Sequence, residues 1–468
     1  MEKNENNSAG LEKQKEYISM LEDILYLRAG GQKPKAFVHT YGCQQNVSDS
    51  EKIKGMLVEM GCELTEEKED ADIILFNTCA VREHAEDRVF GNVGALKALK
   101  KKKPSLLIGL CGCMMEQEHI AQRIYKSFPY VGLVFGTHVI HKFPELLYKA
   151  VTGGKRLVER GYDDGLVYEG LPVHRDGSFK GWLPIMYGCD NFCTYCIVPH
   201  VRGRERSRRP EVILSEARQM VNAGYKDITL LGQNVNSYGK WLDGDTDFAD
   251  LLKSVADIEG DFWVRFMTSH PKDASRKLID TMAENPKICN HLHLPFQSGS
   301  SRVLTRMNRR YTREAYIEIA EYAKSKIPDL SLTSDVIVGF PGETEEEFEE
   351  TLSLIREVEF TSLFTFIYSP RVGTPAAKFD DPVTHAEKAA RMERLLRTQE
   401  EIAARRCAGM VGKRYRVLVE EQAREGVLNA RTQNNIVVEL NEPSELIGSF
   451  CDVEITEARN WILRGKRI

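Results

Sequence analysis

Three cysteines within eight residues constrain this chain more than any other feature. The run reads Gly188-Cys189-Asp190-Asn191-Phe192-Cys193-Thr194-Tyr195-Cys196. Free cysteine is buried as a small hydrophobe, but polar Asp190, Asn191 and Thr194 between three thiols do not make a core pattern. The segment reads as a loop that presents sulfur. Structural zinc sites take four ligands, usually as two separated pairs, and no separated second pair follows at zinc-finger spacing. Iron–sulfur clusters are held by thiolates, normally four. Three would leave one iron of a four-iron cluster open to a substrate, the arrangement that separates catalytic metal sites from closed ones.

At 468 residues the chain has room for two to four domains. No run of about 18 apolar residues offers a membrane span, and the polar stretch from Met1 to Ala9 lacks an apolar signal core. The expected location is the cytoplasm. There, eleven cysteines favour thiolate chemistry over a disulfide framework. The formal net charge of −5 requires that any nucleic-acid partner meet a local basic surface.

Apolar periodicity divides the chain. Leu11, Ile18, Leu21, Ile24 and Leu25 stand near helical spacing in an N-terminal extension, 1–33. Strand-like runs follow at Ala36 to Thr40, Asp72 to Phe76, Leu106 to Leu110 and Val131 to Phe135. Helix-like segments such as Ser50 to Met60 and Val81 to Lys102 separate them. This alternation predicts an α/β domain with a parallel sheet over 34–151. The Gly-rich stretch 152–180 reads as a linker. Six further strand-like runs are Leu183 to Tyr187, Ile228 to Leu231, Trp263 to Met267, His291 to Pro295, Leu332 to Val338 and Leu363 to Tyr368. They predict a partial (βα)6 barrel with its chemistry at the C-terminal strand ends. Thr384 and Glu387 have capping-box spacing at the start of a connecting helix that runs to Arg406, inside a core of 181–410. The runs Tyr415 to Val419, Ile436 to Leu440 and Cys451 to Ile455 predict a small all-β barrel over 411–468.

Each of the first three strands is soon followed by a cysteine: Cys43, Cys79 and Cys113, spaced by 36 and 34 residues. Ligands bind at the carboxyl ends of strands in open α/β sheets, so three thiols would converge there. Cys111 competes for the third place, because strand parity cannot separate it from Cys113. Cys62, Cys289, Cys407 and Cys451 stand alone and read as packing residues.

Weaker signals lie at the other strand ends. Leu230-Leu231-Gly232-Gln233-Asn234-Val235-Asn236 offers amides to a small polar ligand or to an Asx turn. Gln297-Ser298-Gly299-Ser300 has the same ambiguity, and Val338-Gly339-Phe340-Pro341-Gly342-Glu343 combines a tight turn with a dipole-matched helix start. Arg202, Arg204, Arg206, Arg208 and Arg209 crowd the stretch after the cysteines, which favours an anionic substrate. Arg459, Arg464, Lys466 and Arg467 make the C-terminal barrel basic, and small barrels of this kind commonly bind oligonucleotides.

Cys189-x-x-x-Cys193-x-x-Cys196 resembles the radical SAM signature, and the upstream triplet resembles that of the methylthiotransferases within that superfamily. The resemblance covers about residues 35 to 468. It is carried by Tyr41-Gly42-Cys43-Gln44-Gln45-Asn46, Asn77-Thr78-Cys79-Ala80-Val81-Arg82-Glu83, Gly112-Cys113-Met114, the triple-cysteine run with Ile197-Val198-Pro199, and the Gln233-Asn234 stretch. It implies an N-terminal parallel-sheet cluster domain, a partial TIM-like radical SAM barrel and a C-terminal TRAM barrel for RNA. It implies two 4Fe–4S clusters, one on Cys189, Cys193 and Cys196 and an auxiliary one on Cys43, Cys79 and Cys113. S-adenosylmethionine would chelate the open iron of the first and be cleaved to a 5′-deoxyadenosyl radical. Tyr195, Gln233 and Ser298 are the implied contacts to that cofactor.

The implied reaction is methylthiolation at C2 of N6-isopentenyladenosine at tRNA position 37, beside the anticodon. It would use two S-adenosylmethionine per product, one as radical source and one as methyl donor. The implied partners are the tRNA anticodon loop, an electron donor and a sulfur source, with no membrane and a monomeric chain. The rival readings are methylthiolation of threonylcarbamoyladenosine in tRNA, and a noncatalytic RNA-binding iron–sulfur protein.

Overall fold

The computed structural model describes residues 2–80, 83–161, 167–459 and 461–468. The chain forms two compact units. One gathers Met1–Asp176, Tyr187–Asp190 and Cys196–Arg206; the other gathers Gly177–Met186, Asn191–Tyr195 and Ser207–Ile468.

The first unit is built on a six-stranded sheet of β1 (Lys35–Tyr41), β2 (Glu63–Leu64), β3 (Ile73–Thr78), β4 (Leu107–Gly112), β5 (Leu133–Phe135) and β6 (Leu157–Glu159). The order is β2-β1-β3-β4-β5-β6 and every pairing is parallel. Strand alternation explains the two cores. Ile73 and Leu75 face Met56, Leu57, Phe143 and Leu147. Ile74 and Phe76 face Val89, Phe90, Val93 and Leu96. A strand covered on both faces reads as a continuous apolar run, here Ile73 to Phe76, as parallel sheets require.

One expectation needs correction here. Leu157–Glu159 lies inside the expected linker yet pairs with β5 as the sixth strand. Three residues are too few to show a period in sequence; residues 162–166 of that linker lie outside the described residues. The helix expected from Val81 is described over Glu83–Lys102, and Val81 and Arg82 also lie outside the described residues.

In the second unit, β7 (Lys180–Pro184) leads towards two short strands, β8 (Met186–Tyr187) and β9 (Arg206–Ser207), which bracket the cysteine loop in sequence. Then come β10 (Asp227–Leu231), β11 (Trp263–Phe266), β12 (His291–His293), β13 (Ser331–Val338) and β14 (Ser362–Ile367). Strands β7, β10 and β11 form one parallel sheet and β12, β13 and β14 another. Val264 in β11 bonds to Lys287 and Cys289 just before β12, joining the two into a six-strand arc. Among the described residues β7 does not pair with β14, so this is the expected partial barrel. Its first strand ends at Pro184, before Leu183 to Tyr187 is complete. The helix His385–Ala408 starts with the predicted capping box of Thr384 and Glu387.

The chain ends in a closed barrel of β15 (Arg414–Arg424), β16 (Val427–Thr432), β17 (Val437–Leu440), β18 (Phe450–Arg459) and β19 (Ile462–Arg467), ordered β15-β16-β17-β19-β18. Strands β16 and β19 were not expected. Asn429, Arg431, Arg464 and Lys466 interrupt their apolar pattern, as half-solvated barrel strands allow. This barrel is seated on β11. Trp263 packs on Phe450 with ring centroids 4.6 Å apart. Arg265, buried, donates to Asp227 Oδ2 at 2.7 Å and to the carbonyls of Thr432 and Gln433 at 2.9 Å each.

Candidate functional site

The sheet topology carries Cys43, Cys79 and Cys113 to the C-terminal ends of β1, β3 and β4, which are neighbours. Cys43 is the N-cap of helix Gln44–Glu59. Cys79 directly follows β3. Gly112 separates Cys113 from Cys111. Its φ of +97° breaks the strand alternation, and a Cβ there would lie 2.3 Å from Asn77 Oδ1. Cys111 therefore stays in the sheet core with Leu107 and Phe135, while Cys113 turns out to meet Ala80, Ile197 and Val201. The parity that left the two cysteines equivalent is cancelled by one glycine.

Asn46 ties this corner together. Its Nδ2 donates to Asn77 Oδ1 at 3.0 Å and to the Thr78 carbonyl at 3.2 Å, and stands 3.9 Å from Cys113 Sγ. Cys43 Sγ is 3.3 Å from Asn46 Oδ1. Cys43 is exposed, and a hydrogen bond from Cys79 brings its thiol down to about 5 against partial desolvation, with Arg202 and the N–H groups of Gln45 and Asn46 assisting. Thiolates at helix N-termini and beside arginine are stabilised in this way. Burial pushes the Cys113 thiol up to about 11, opposed by Arg202.

Arg202 closes the helix Val198–Arg202 in the same unit. Its Nε donates to Cys113 Sγ at 3.1 Å and its Nη2 to Asp49 Oδ2 at 2.8 Å. Breaking a buried pair of this kind costs about 3–5 kcal/mol. The five-arginine stretch is thus not one anionic-substrate surface. Arg202 and Arg208 are buried, Arg208 on Glu216 at 2.8 Å and on the Pro184 carbonyl. Arg206 donates to the Arg202 carbonyl, and exposed Arg204 pairs with Asp190 at 3.0 Å.

In the triple-cysteine loop, Cys189 and Cys193 are buried and Cys196 is half-buried. Phe192, with φ of +47°, turns the chain before Cys193. Arg309 Nη1 lies 3.5 Å from Cys193 Sγ. Of the expected cofactor contacts, Gln233 follows β10 and is half-buried. Ser298 follows β12, is fully buried, and accepts the Ser300 N–H at 3.3 Å. Tyr195 packs against Met307 and Phe340. The turn after β13 fits its expected reading. The buried Glu343 carboxylate accepts the Gly339 N–H at 2.8 Å, and Thr344 with Glu347 caps the next helix. In the terminal barrel, Lys466 and Arg467 are exposed with Trp461, whereas Arg459 and Arg464 pair with Glu457. Cys62, Cys289 and Cys407 are buried and Cys451 half-buried, in keeping with packing roles.

Sequence reasoning missed Asn46, Asp49 and Arg309. Asn46 stood in the quoted Tyr41 to Asn46 stretch without a role of its own, and Asp49 and Arg309 carried no local signal. Among the described residues no three Cys, His, Asp or Glu side chains are placed so that they could hold a metal ion together. The fit of an iron–sulfur group rests on the donors themselves: three thiols on neighbouring strand ends, one of low pKa, with a guanidinium on another. That donor set suits a thiolate-held cluster.

Residues 35–136 match Uncharacterized protein family UPF0004, 183–355 the Radical SAM superfamily and 409–468 the TRAM domain. The chain is 51% identical over 433 residues to the tRNA-2-methylthio-N(6)-dimethylallyladenosine synthase of Thermoanaerobacter sp. (strain X514), covering 92% of each. It is 50% identical over 449 residues to the synthase of that name from Caldicellulosiruptor saccharolyticus, covering 96% of this chain and 95% of that one. The chain belongs to this synthase family. Its fold also resembles the radical S-adenosylmethionine methyltransferase TsrM from Kitasatospora setae, solved with cobalamin and a 4Fe–4S cluster. There the TM-score is 0.56 at 12% identity, over 74% of each chain. Family membership accounts for the order of sheet domain, partial barrel and terminal barrel. Among the described residues no helix is long and apolar enough to cross a membrane.

Proposed function

We propose that this chain replaces the C2 hydrogen of N6-isopentenyladenosine at tRNA position 37 with a methylthio group, using two S-adenosylmethionine per product. As a member of its family it is a radical S-adenosylmethionine enzyme that methylthiolates tRNA. The observation that carries the site assignment is the second thiol triplet at the ends of β1, β3 and β4. Cys189, Cys193 and Cys196 would hold one 4Fe–4S cluster, and Cys43, Cys79 and Cys113 the auxiliary one. When bound, these groups supply the electron that cleaves S-adenosylmethionine and the sulfur that is inserted, chemistry that amino-acid side chains lack.

The chain's own residues bind and orient. Asn46 contacts the Cys43 and Cys113 sulfurs and the Thr78 carbonyl beside Cys79. Tyr195, Gln233 and Ser298 are proposed to contact S-adenosylmethionine. The anticodon loop suits a protein that reads RNA in single-stranded segments, and its adenine must leave the stack to enter the barrel mouth. Trp461, Lys466 and Arg467 offer the terminal barrel an aromatic face and positive charge for that RNA. The reaction's place is the cytoplasm.

Reconstituted turnover on isopentenylated anticodon stem-loop RNA, followed by mass analysis of the nucleosides, tests this reading. The methylthio product is expected. Turnover only on threonylcarbamoylated RNA would move the assignment to that substrate. Failure of the reduced protein to cleave S-adenosylmethionine would leave an RNA-binding iron–sulfur protein.

A further inference from the structure

Each cysteine triplet has one member whose sulfur lies against a buried arginine. Arg202 Nε is 3.1 Å from Cys113 Sγ, and Arg309 Nη1 is 3.5 Å from Cys193 Sγ. Both arginines are 5% exposed. Burying a guanidinium costs several kcal/mol unless its charge and donors are matched. The two are matched differently. Arg202 shares its charge with Asp49 through the 2.8 Å bond from Nη2. Arg309 has neutral oxygens as its other partners: the Pro295 carbonyl at 2.7 Å and the Tyr311 hydroxyl at 3.1 Å. Its neighbours Asn308 and Arg310 have φ of +58° and +59°. A left-handed arginine is strained, so the turn is held in place by its surroundings, with Arg309 directed inward.

Reduction potentials of iron–sulfur clusters depend on hydrogen bonds to sulfur and on local charge. A cation donating to a ligand thiolate stabilises the reduced, more negative state and raises the potential. We infer that Arg202 and Arg309 are positioning residues that set the potentials of the two clusters separately, Arg202 acting on Cys113 and Arg309 on Cys193. Asp49 tempers Arg202, whereas the thiolate of Cys193 is the anion that balances Arg309. The protein would thereby hold two chemically alike clusters at different potentials. The inference rests on the assignment of the six cysteines as ligands.

The test is a redox titration of the reconstituted full-length holoenzyme, followed by electron paramagnetic resonance. The two reduced-cluster signals are assigned with full-length variants in which one triplet is replaced by Ala. R202K keeps a cation beside Asp49 but removes Nε, and is expected to lower the auxiliary potential alone. R309K is expected to lower the other potential alone. D49N leaves Arg202 uncompensated and is expected to raise the auxiliary potential. Unmoved potentials, equal shifts of both clusters, or R202K and D49N shifting in one direction would overturn the inference. Should R202K fail to hold its cluster, D49N decides for Arg202; should R309K fail, R309Q decides for Arg309, an unmoved potential in it overturning that half. Iron content separates the two readings. If replacing Cys43, Cys79 and Cys113 by Ala leaves both clusters in place, the ligand assignment fails. If one cluster is lost but the potentials ignore the arginines, only this inference fails.

Discussion

Asn46 and Asn77 bond to each other reciprocally. Asn46 Nδ2 donates to Asn77 Oδ1 at 3.0 Å, and Asn77 Nδ2 donates to the Asn46 carbonyl at 2.8 Å. Asn77 also donates to Ser50 Oγ at 3.0 Å. Both amides are fully buried. This pair locks the first turn of helix Gln44–Glu59 to the end of β3, and so fixes where Cys43 stands relative to Cys79. Asn46→Ala would strand buried acceptors at about 1–3 kcal/mol each. It should lower the melting temperature and cost the auxiliary cluster, read as iron per chain. Wild-type iron and stability in that variant would remove Asn46 from this role.

The two triplets should be separable. Replacing Cys43, Cys79 and Cys113 by Ala should lose about half the iron and all methylthiolation, since each triplet would hold one cluster, while cleavage of S-adenosylmethionine persists. Cys111→Ala serves as the contrast, because Cys111 packs in the sheet core with Leu107 and Phe135. It should keep full iron and lose only packing stability. Iron analysis beside a cleavage assay decides this. Full methylthiolation in the triple variant refutes the auxiliary site.

Arg265 joins the terminal barrel to the partial barrel, reaching Asp227 on one side and the Thr432 and Gln433 carbonyls on the other. Arg265→Met leaves Asp227 buried without its cation, at a cost of about 3–5 kcal/mol. Limited proteolysis should then cut faster between the helix His385–Ala408 and β15. An unchanged cleavage pattern would show that Trp263 and Phe450 suffice to seat the barrel.

Glu343 gives a pH signature. Burial raises its carboxyl from 4.5 to about 7, with the Gly339 N–H and Arg391 opposing and the charges of Glu347 and Glu345 adding. An acid whose folded-state pKa is raised binds extra protons in the folded protein between those two values. The stability it contributes is present below pH 4.5 and falls as pH rises to about 7. Between pH 5 and 8 the wild type should lose roughly 2–3 kcal/mol more than Glu343→Gln. Denaturant melts across that range measure the difference, and parallel pH profiles would contradict the account.

The alternation of apolar runs made most strands of both units visible in the sequence, and the capping pair Thr384 and Glu387 marked the last long helix. What escaped were elements without a period of their own. β2 and β6 have two and three residues, and β16 and β19 are interrupted by polar side chains that face water in a closed barrel. Local pattern is silent there because pairing with a distant strand, not periodicity, makes the residues extended.

The sequence alone set out the two cysteine triplets that the proposed function uses. Cys189, Cys193 and Cys196 are close because the chain between them is short. Cys43, Cys79 and Cys113 are related because parallel strands all end on one side. Which sulfur faces which charge was decided only by tertiary structure. Arg202 is 89 residues from Cys113, and Arg309 is 116 from Cys193. Folding took Arg202 and Arg208 out of a row of arginines that read as a substrate surface and made them buried partners of sulfur and carboxylate. A buried charge must find its counterpart wherever the packed chain brings one, and no local spacing encodes that encounter.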